Sequence, residues 1–415
     1  MISSEGTFGS ARVALNAVGR MAEVQLGKML QTTSSSPEDV EVPYLRAGHL
    51  SQVPDELPTM WASPKERVQY RVEAGDILVA EGGDVGRVGF VPQSASGALI
   101  QNSLHRIRPR GGRDRRFLAY ALEAVYLGDW LEVLCNKSTF GHLTVEKLKA
   151  LRVPDPQPVE QQAIADYLDA ETTRIDAVFN KKQRLIALLK ERRHRVINST
   201  IADGIATRTG EVGDRRFTRV KYLAGINQRS LPENAELDRE IKYLDISGVG
   251  RGVLVTEPEA MNLSTAPSRA RRLVQVGDTI VSTVRTYLRA VLFINDPDPA
   301  LVVSTGFAVI TPRKGLDARY LAWVAQSDTF VEAVVARSVG VSYPAINAGE
   351  IGDIQIPVVE LDQQQAIADY LDAETARIDA AIVTLERQLT LHREQRQSLI
   401  TAAVTGEIEA PGVAA

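Results

Sequence analysis

The chain has 415 residues and a net charge of −4, from 48 Lys and Arg against 52 Asp and Glu, a balance that argues against indiscriminate coating of nucleic acid. Hydrophobic content of 44% and aromatic content of 6% are those of a globular protein, and no apolar run approaches the roughly 20 residues that cross a bilayer. The single cysteine, Cys135, excludes a disulfide framework and a cysteine zinc site; together with an N-terminus lacking a signal-peptide apolar core, it points to a reducing cytoplasm.

In chain order, "VEAGDILV" (72–79), "GDILVAEGG" and "GRVGFV" read as short strands between Gly, Pro and Asp turns. "RRFLAYALEAVYLGDWLEVL" then places apolar residues at spacings of three and four, the pattern of a helix packed on a sheet. After Pro154 comes a helix of about 45 residues, from near Val159 to Asp203, which would span roughly 65 Å. The pattern then starts again. "VQVGDTIV" (274–281), "AVLFI" and "LVVSTGFAVI" read as strands, "ARYLAWVAQSDTFVEAVV" as a helix, and a second long helix follows Pro357.

This recurrence is a true internal repeat with an offset of about 203 residues. "QQAIADYLDAETTRIDA" at 161–177 returns as "QQAIADYLDAETARIDA" at 364–380, changed only where Thr173 becomes Ala376. "RIRPR" ending at Arg110 faces "VITPR" ending at Arg313, and "RFLAY" (116–120) faces "RYLAW" (319–323). The chain therefore divides into a first globule at 1–158, a helix at 159–205, a second globule at 206–360, a helix at 361–409 and a tail at 410–415. Residues 1–158 hold 18 basic and 18 acidic side chains and 206–360 hold 18 and 18, whereas 361–415 hold 4 and 9, so each globule has enough cations to present a basic face.

Both helices carry a seam that steps by four and three. Ile175, Phe179, Lys182, Ile186, Leu189, Arg193 and Val196 correspond to Ile378, Ile382, Leu385, Leu389, His392, Arg396 and Leu399, with Arg in the sixth place of each. Paired antiparallel, the helices would relate two direct repeats by an approximate two-fold axis. Symmetric DNA readers are built this way, their half-site spacing mirroring protein symmetry. Near-identical helices imply one interaction made twice, while unlike globules imply two different things recognised. The alternative is that the helices are alike only because they pair with each other.

The order of two unlike globules, each closed by "EQQ/DQQQ-AIADYLDAET-x-RIDA" and a heptad helix ending "SLITAAVTGEIE" (398–409), resembles the specificity subunit of type I restriction-modification systems over about residues 12–409. The fold this implies is α+β: two tandem mixed α/β target recognition domains, each followed by a long helix, the two helices pairing as an antiparallel coiled coil. The resemblance further implies that each globule reads one half of a bipartite, asymmetric site in double-stranded DNA. Its expected partners are two copies of an adenine methyltransferase subunit docked on the paired helices, and restriction/translocation subunits. No cofactor is expected in this chain; S-adenosylmethionine would belong to the methyltransferase, and ATP and magnesium to the restriction partner.

Candidate DNA contacts fall in three places. "RIRPRGGRDRR" (106–116) can lay guanidinium groups along phosphates; Arg110 and Arg113 are preferred, because Arg106 and Arg108 alternate like the exposed face of a strand. The competing reading is solvated surface or intramolecular ion pairs. Arg285, Tyr287 and Arg289 in "STVRTYLRA", with Arg87 in "AEGGDVGRV", lie just beyond matched Gly-Asp turns; Arg can bond guanine bidentately, although these could equally be plain strand-end residues. The resemblance adds a Ser, Thr and Gly-rich loop before the last core residues of each globule, which makes Lys137, Thr139, His142, Ser342 and Tyr343 candidates.

Catalytic signatures are missing. There is no Asn/Asp-Pro-Pro-aromatic tetrapeptide of an amino-methyltransferase, "QLGKML" fails as a phosphate loop, and His49, His105, His142, His194 and His392 include no pair at metal-ligand spacing. Asp166, Asp169 and Glu171 are read as an exposed N-terminal helical face favoured by the helix dipole rather than as acid-base groups. The expectation is a non-catalytic specificity subunit. Its rival is a helical scaffold that gathers two identical protein partners without reading DNA.

Overall fold

The structure, a computed structural model, describes residues 12–128, 142–203, 216–232, 234–236 and 238–411. It resolves into two compact units, one of residues 1–183 with 387–415 and one of 184–386. Each long helix thus contributes its first half to one unit and its second half to the other.

In the first unit the strands are β1 (Leu15–Ala17), β2 (Ala22–Leu26), β3 (Val40–Leu45), β4 (Thr59–Ala62), β5 (Ile77–Ala80), β6 (Val88–Phe90), β7 (Leu99–Ile100), β8 (Leu104–Pro109) and β9 (Arg152–Pro154). The main sheet has the order β2-β8-β5-β6, all antiparallel; β3 pairs antiparallel with β4 and parallel with β7, and β1 pairs with β9. All four residues of β5 are buried because the sheet is covered on both faces, hence an unbroken apolar run instead of alternation. One cover is helix α1 (Arg115–Leu127), started by the Asp114 carboxylate, which accepts from the Arg116 and Phe117 amides. Its Phe117, Leu118, Ala121 and Leu122 pack with Ile77 and Val79 on the sheet. The other face, through Leu78 and Leu104, packs on Leu45 and Ile100. Helix α2 (Val145–Ala150) leads into β9, and α3 (Pro158–Asp203) follows.

The second unit repeats this plan with other side chains. Its strands are β10 (Arg216–Arg219), β11 (Ala224–Ile226), β12 (Glu240–Leu244), β13 (Glu259–Asn262), β14 (Ala270–Leu273), β15 (Thr279–Ser282), β16 (Val291–Phe293), β17 (Leu301–Ser304), β18 (Phe307–Pro312) and β19 (Gln355–Val358). The main sheet is β11-β18-β15-β16, β13-β12-β17-β14 forms the second, and β10 pairs with β19. The helices are α4 (Ala318–Gln326), α5 (Asp328–Arg337), α6 (Ala348–Gly352) and α7 (Leu361–Thr405). Two runs that look continuous in sequence are divided. "LVVSTGFAVI" is β17 and β18 separated by Thr305-Gly306, and "ARYLAWVAQSDTFVEAVV" breaks at Ser327, whose hydroxyl accepts from the Phe330 amide and starts α5.

The repeated stretch forms the joint between each head and the helix that follows it. In the first unit buried Gln161 accepts from the Asp114 amide (3.0 Å) and donates to Asp155 (3.0 Å) and the Pro156 carbonyl (2.8 Å). In the second, buried Gln364 accepts from the Asp317 amide (2.8 Å) and donates to the Gly315 (3.1 Å) and Val359 (2.9 Å) carbonyls. Beside the glutamine, Arg116 bridges Asp166 (2.7 Å) and Asp169 (2.8 Å), and Arg319 bridges Asp369 (2.8 Å) and Asp372 (2.8 Å). A ring hydroxyl or ring N–H completes the joint: Tyr120 donates to Asp169 (2.8 Å) and Trp323 to Asp372 (2.8 Å). Asp166 and Asp169 are therefore head-to-helix clamps, while Glu171 pairs with Arg174 one turn on (2.8 Å).

Within each unit the two helix halves run antiparallel. In the first, Lys182 lies 2.8 Å from His392, the Arg393 guanidinium sits 5.1 Å over the Phe179 ring, and Arg396 ties Asp176 of α3 (3.3 Å) to Glu123 of α1 (2.7 Å). In the second, Arg193 pairs with Asp379 (3.0 Å) and lies 6.0 Å over the Trp323 ring, and Lys190 pairs with Glu386 (3.5 Å). The arginines in the sixth seam position are thus links from helix to helix and from helix to head. The apolar seam residues Ile175, Phe179, Ile186, Leu189, Val196, Ile378, Ile382, Leu385, Leu389 and Leu399 are buried or half-buried.

Gln364→Ala should lower unfolding stability by about 1–3 kcal/mol, since it strands the Asp317 amide, whereas exposed Gln365→Ala should stay within about 0.5 kcal/mol. Urea midpoints of the two variants check this difference.

Candidate nucleic-acid interface

Both heads carry two loops tied together at the same end of the main sheet. In the first, residues 81–87 connect β5 to β6, and the segment before α2 packs against them. The Glu81 amide donates to the Ser103 carbonyl (2.9 Å), and the Leu143 amide donates to the Glu81 carbonyl (3.0 Å). In the second, residues 283–290 connect β15 to β16 and face the loop before α6. The Thr283 amide donates to the Gly306 carbonyl (2.8 Å) and the Ile346 amide to the Thr283 carbonyl (2.8 Å). The same backbone bonds hold loops whose side chains mostly differ, Arg87 and Arg289 being the matched exception.

On the first pair, Arg87 is half-exposed and pairs with Asp84 (3.1 Å), whose other oxygen accepts from Tyr126 of α1 (2.7 Å). Gly83 and Gly86 take φ of 78° and 84°, the left-handed region that glycine enters without steric cost. Exposed His142 lies 3.0 Å from Glu81. Beneath them His105, fully buried, donates from Nε2 to the Leu143 carbonyl (2.6 Å), while its buried Nδ1 has no partner among the described residues. Lys137 and Thr139 lie outside the described residues.

On the second pair, Arg285 and Arg289 flank a one-turn 3-10 helix, Thr286–Leu288, and both adopt left-handed backbone, with φ of 51° and 54°. For a residue with a Cβ that conformation costs roughly 1–2 kcal/mol. The loops are fastened by Thr286 and Ser338 (2.8 Å between hydroxyls) and by pairing of Ala345 with Val284 and Val339. The Arg285 guanidinium lies 5.0 Å over the Tyr343 ring. Tyr287, Ser342 and Tyr343 are exposed. Arg285, Tyr287, Ser342 and Tyr343 therefore share one surface, Arg289 lies beside Phe330 and Val331 of α5, and neither arginine has a carboxylate partner among the described residues.

Arg110 and Arg113 are elsewhere. Since β8 runs antiparallel to β5, with Ala80 opposite Leu104, the residues after Pro109 emerge at the other end of the sheet. Arg110 is exposed there, 4.0 Å from Glu23, and Arg113 makes a two-point ion pair with Asp155 (2.8 and 2.7 Å) beside the helix joint. That pair holds the Asp155 carboxyl below its ordinary range. The reading of Arg106 and Arg108 as an exposed strand face is corrected. Arg106 is buried, donating to the Gln69 and Arg71 carbonyls and pairing with Glu23 (3.1 Å), because the chain after Gln69 crosses that face; Arg108 grips Asp76 through two bonds (2.7 and 2.6 Å).

The model of the family described as "Type I restriction modification DNA specificity domain" matches residues 17–187 and 239–390, one stretch for each head with the start of the helix that follows. The chain belongs to this family. It is similar to the StySPI type I restriction enzyme specificity subunit of Salmonella potsdam, with 27% identity over 99 residues; these are 24% of this chain and 21%, about a fifth, of that relative's length. Among solved structures, a chain from work on complex assembly and conformational transition of the type I R-M system superposes with a TM-score of 0.68 at 15% identity, covering 95% of this chain and 98% of that one. The HsdS subunit of Thermoanaerobacter tengcongensis gives 0.50 at 15% identity, with 95% and 97% covered. At that identity the likeness is one of fold.

Several residues of these loops escape a reading of the sequence. Leu288, Val339 and Val341 are exposed, yet an apolar residue in a short run signals burial; the only local cue is the Gly340 between two valines. Asp84 and Tyr126, which aim Arg87, are 42 residues apart. No helix among the described residues is long and apolar enough to cross a membrane, and none of their His, Cys, Asp and Glu side chains form a group of three suited to a metal ion.

Burial, opposed more weakly by the Leu143 carbonyl and by Glu81, pulls the His105 pKa below its ordinary 6.5. The unfolded chain therefore binds the His105 proton first as pH falls, and the stability this residue contributes is complete above about 6.5 and lost progressively below it. Thermal midpoints between pH 7.5 and 5 should fall less steeply for His105→Gln than for the unaltered protein.

Proposed function

We propose that this chain is the non-catalytic DNA-reading subunit of a type I restriction-modification complex, in which each head reads one half of an interrupted, asymmetric site. The observation that carries the reading is the contrast within each head: loops held by identical backbone bonds carry unlike side chains, while the joints beneath them keep the same residues. Constant support with variable tips is what two different half-sites require. Arg87 and His142 would contact the first half, with Lys137 and Thr139 close by in sequence; Arg285, Tyr287, Arg289, Ser342 and Tyr343 would contact the second. An arginine on guanine is worth about 1–3 kcal/mol of discrimination. Arg113, spent on Asp155, is left out of this set.

The helices would provide equal docking places for two copies of an adenine methyltransferase subunit, which would bring S-adenosylmethionine. Exposed Arg184, Leu188 and Glu191 on one face of α3 recur as exposed Arg387, Leu391 and Glu394 on α7, as two identical partners would need. Restriction subunits, with their ATP and magnesium, would join that assembly. Nothing in this proposal asks the chain itself for a chemical step.

Co-expression with the neighbouring methyltransferase, followed by genome-wide mapping of N6-methyladenine, tests the reading. An interrupted motif with two unlike halves should appear and vanish when this chain is omitted. Methylation independent of the chain would favour the scaffold that gathers partners without reading DNA. A second test adds one heptad between Lys181 and Arg195 and a matching one between Thr384 and Ser398. About 10 Å of helix is gained, so the unread spacer should lengthen by about three base pairs with both half-sites unchanged; altered half-sites would rule out a spacing role.

A further inference from the structure

The second head's loop pair carries a feature that arginine contacts do not use. Tyr287 and Leu288 on one loop, and Val339, Val341 and Tyr343 on the other, are all exposed, Val341 completely at 102% of its reference area. The loops bearing them are not slack. The Thr286–Ser338 bond and the pairing of Ala345 with both Val284 and Val339 fix one against the other. Left-handed Arg285 and Arg289 set the turn that presents Tyr287, at positions where glycine would sit without strain. Apolar side chains held rigidly in water, between two arginines lacking carboxylate partners among the described residues, fit a ligand that is anionic at its rim and apolar at a few points inside. The major groove of DNA has that character: phosphates line it, and its one apolar group is the thymine 5-methyl.

We infer that the second head recognises thymine, Val341 and Tyr287 packing on 5-methyl groups in the major groove while Arg285 and Arg289 hold the flanking phosphates. The inference rests on the proposed DNA-reading role of this head. Adenine methylation ensures that the half-site contains at least one thymine, opposite the target base.

The test uses the full chain in complex with its methyltransferase and a duplex carrying the mapped site. Each thymine of the second half-site is replaced in turn by deoxyuridine, which removes one methyl and leaves base pairing intact. At one position or more, affinity should fall about fourfold, the effect of burying a single methyl. Val341→Ala or Tyr287→Ala should lower affinity for the thymine duplex and reduce the response to deoxyuridine, so that the protein and DNA changes are not additive. Both side chains are exposed, so melting temperatures of the free variants should be unchanged. Indifference to deoxyuridine at every thymine overturns the inference, as does a response that both variants retain in full. Loss of methyltransferase assembly in Val341→Ala, with deoxyuridine tolerated, would make the tip a protein-docking surface and also overturn it. Failure of the underlying role looks different: replacing residues 206–357 by another head would then leave the methylated motif unchanged.

Discussion

One buried glutamine side chain, used twice, fastens each head to its helix. Gln161 and Gln364 each satisfy the N-cap amide of a head helix; Gln161 donates to Asp155 and the Pro156 carbonyl at the entry of its long helix, and Gln364 to the Val359 carbonyl at the entry of the other and to the Gly315 carbonyl before α4. A buried amide left unbonded is expensive, so the orientation that satisfies every group excludes its neighbours. The Arg116 and Arg319 bridges and the Tyr120 and Trp323 hydrogen bonds act at the half-exposed margin of that buried contact. The apolar floor is common to both: Ile164, Ala165 and Leu168 in one unit, Ile367, Ala368 and Leu371 in the other.

A head is also met by the far half of the opposite helix, through Ile400, Ala403 and Val404 in the first unit and Ile197 and Ile201 in the second. Arg396 and Arg193 stand at those second contacts. Two attachments, one from each helix, resist swivelling in a way that a single hinge does not. Orientation is settled at this end of the sheet, and the exposed loops lie at the other.

Much of this was legible in advance because it depends on short-range pattern. The glutamines stand out in a repeat of 17 residues, the Gly-Asp turns mark β5 and β15, and the seam arginines interrupt an apolar periodicity. What stayed hidden depends on partners distant in sequence. Arg113 looks like a free cation until Asp155 folds back onto it, and Arg106 looks exposed until the carbonyls of Gln69 and Arg71 arrive over the strand. Val339 and Val341 mislead in the opposite sense, being apolar and uncovered. The division into compact units was hidden for a related reason: each draws on the middle of both helices, and no boundary in the sequence marks where one half ends.

The backbone bonds that tie the loop pair of each head have a consequence for how such a protein changes over generations. Glu81 and Thr283 hold the loop pair through their amide and carbonyl groups in both heads, and each adds a side-chain bond of its own, Glu81 to His142 (3.0 Å) and Thr283 to the Gly306 carbonyl (2.9 Å). Substitutions at the exposed tips leave the shared backbone tie in place, while a change at the buried glutamine strands an amide of the joint. Change at the tips is thereby uncoupled from change in the scaffold.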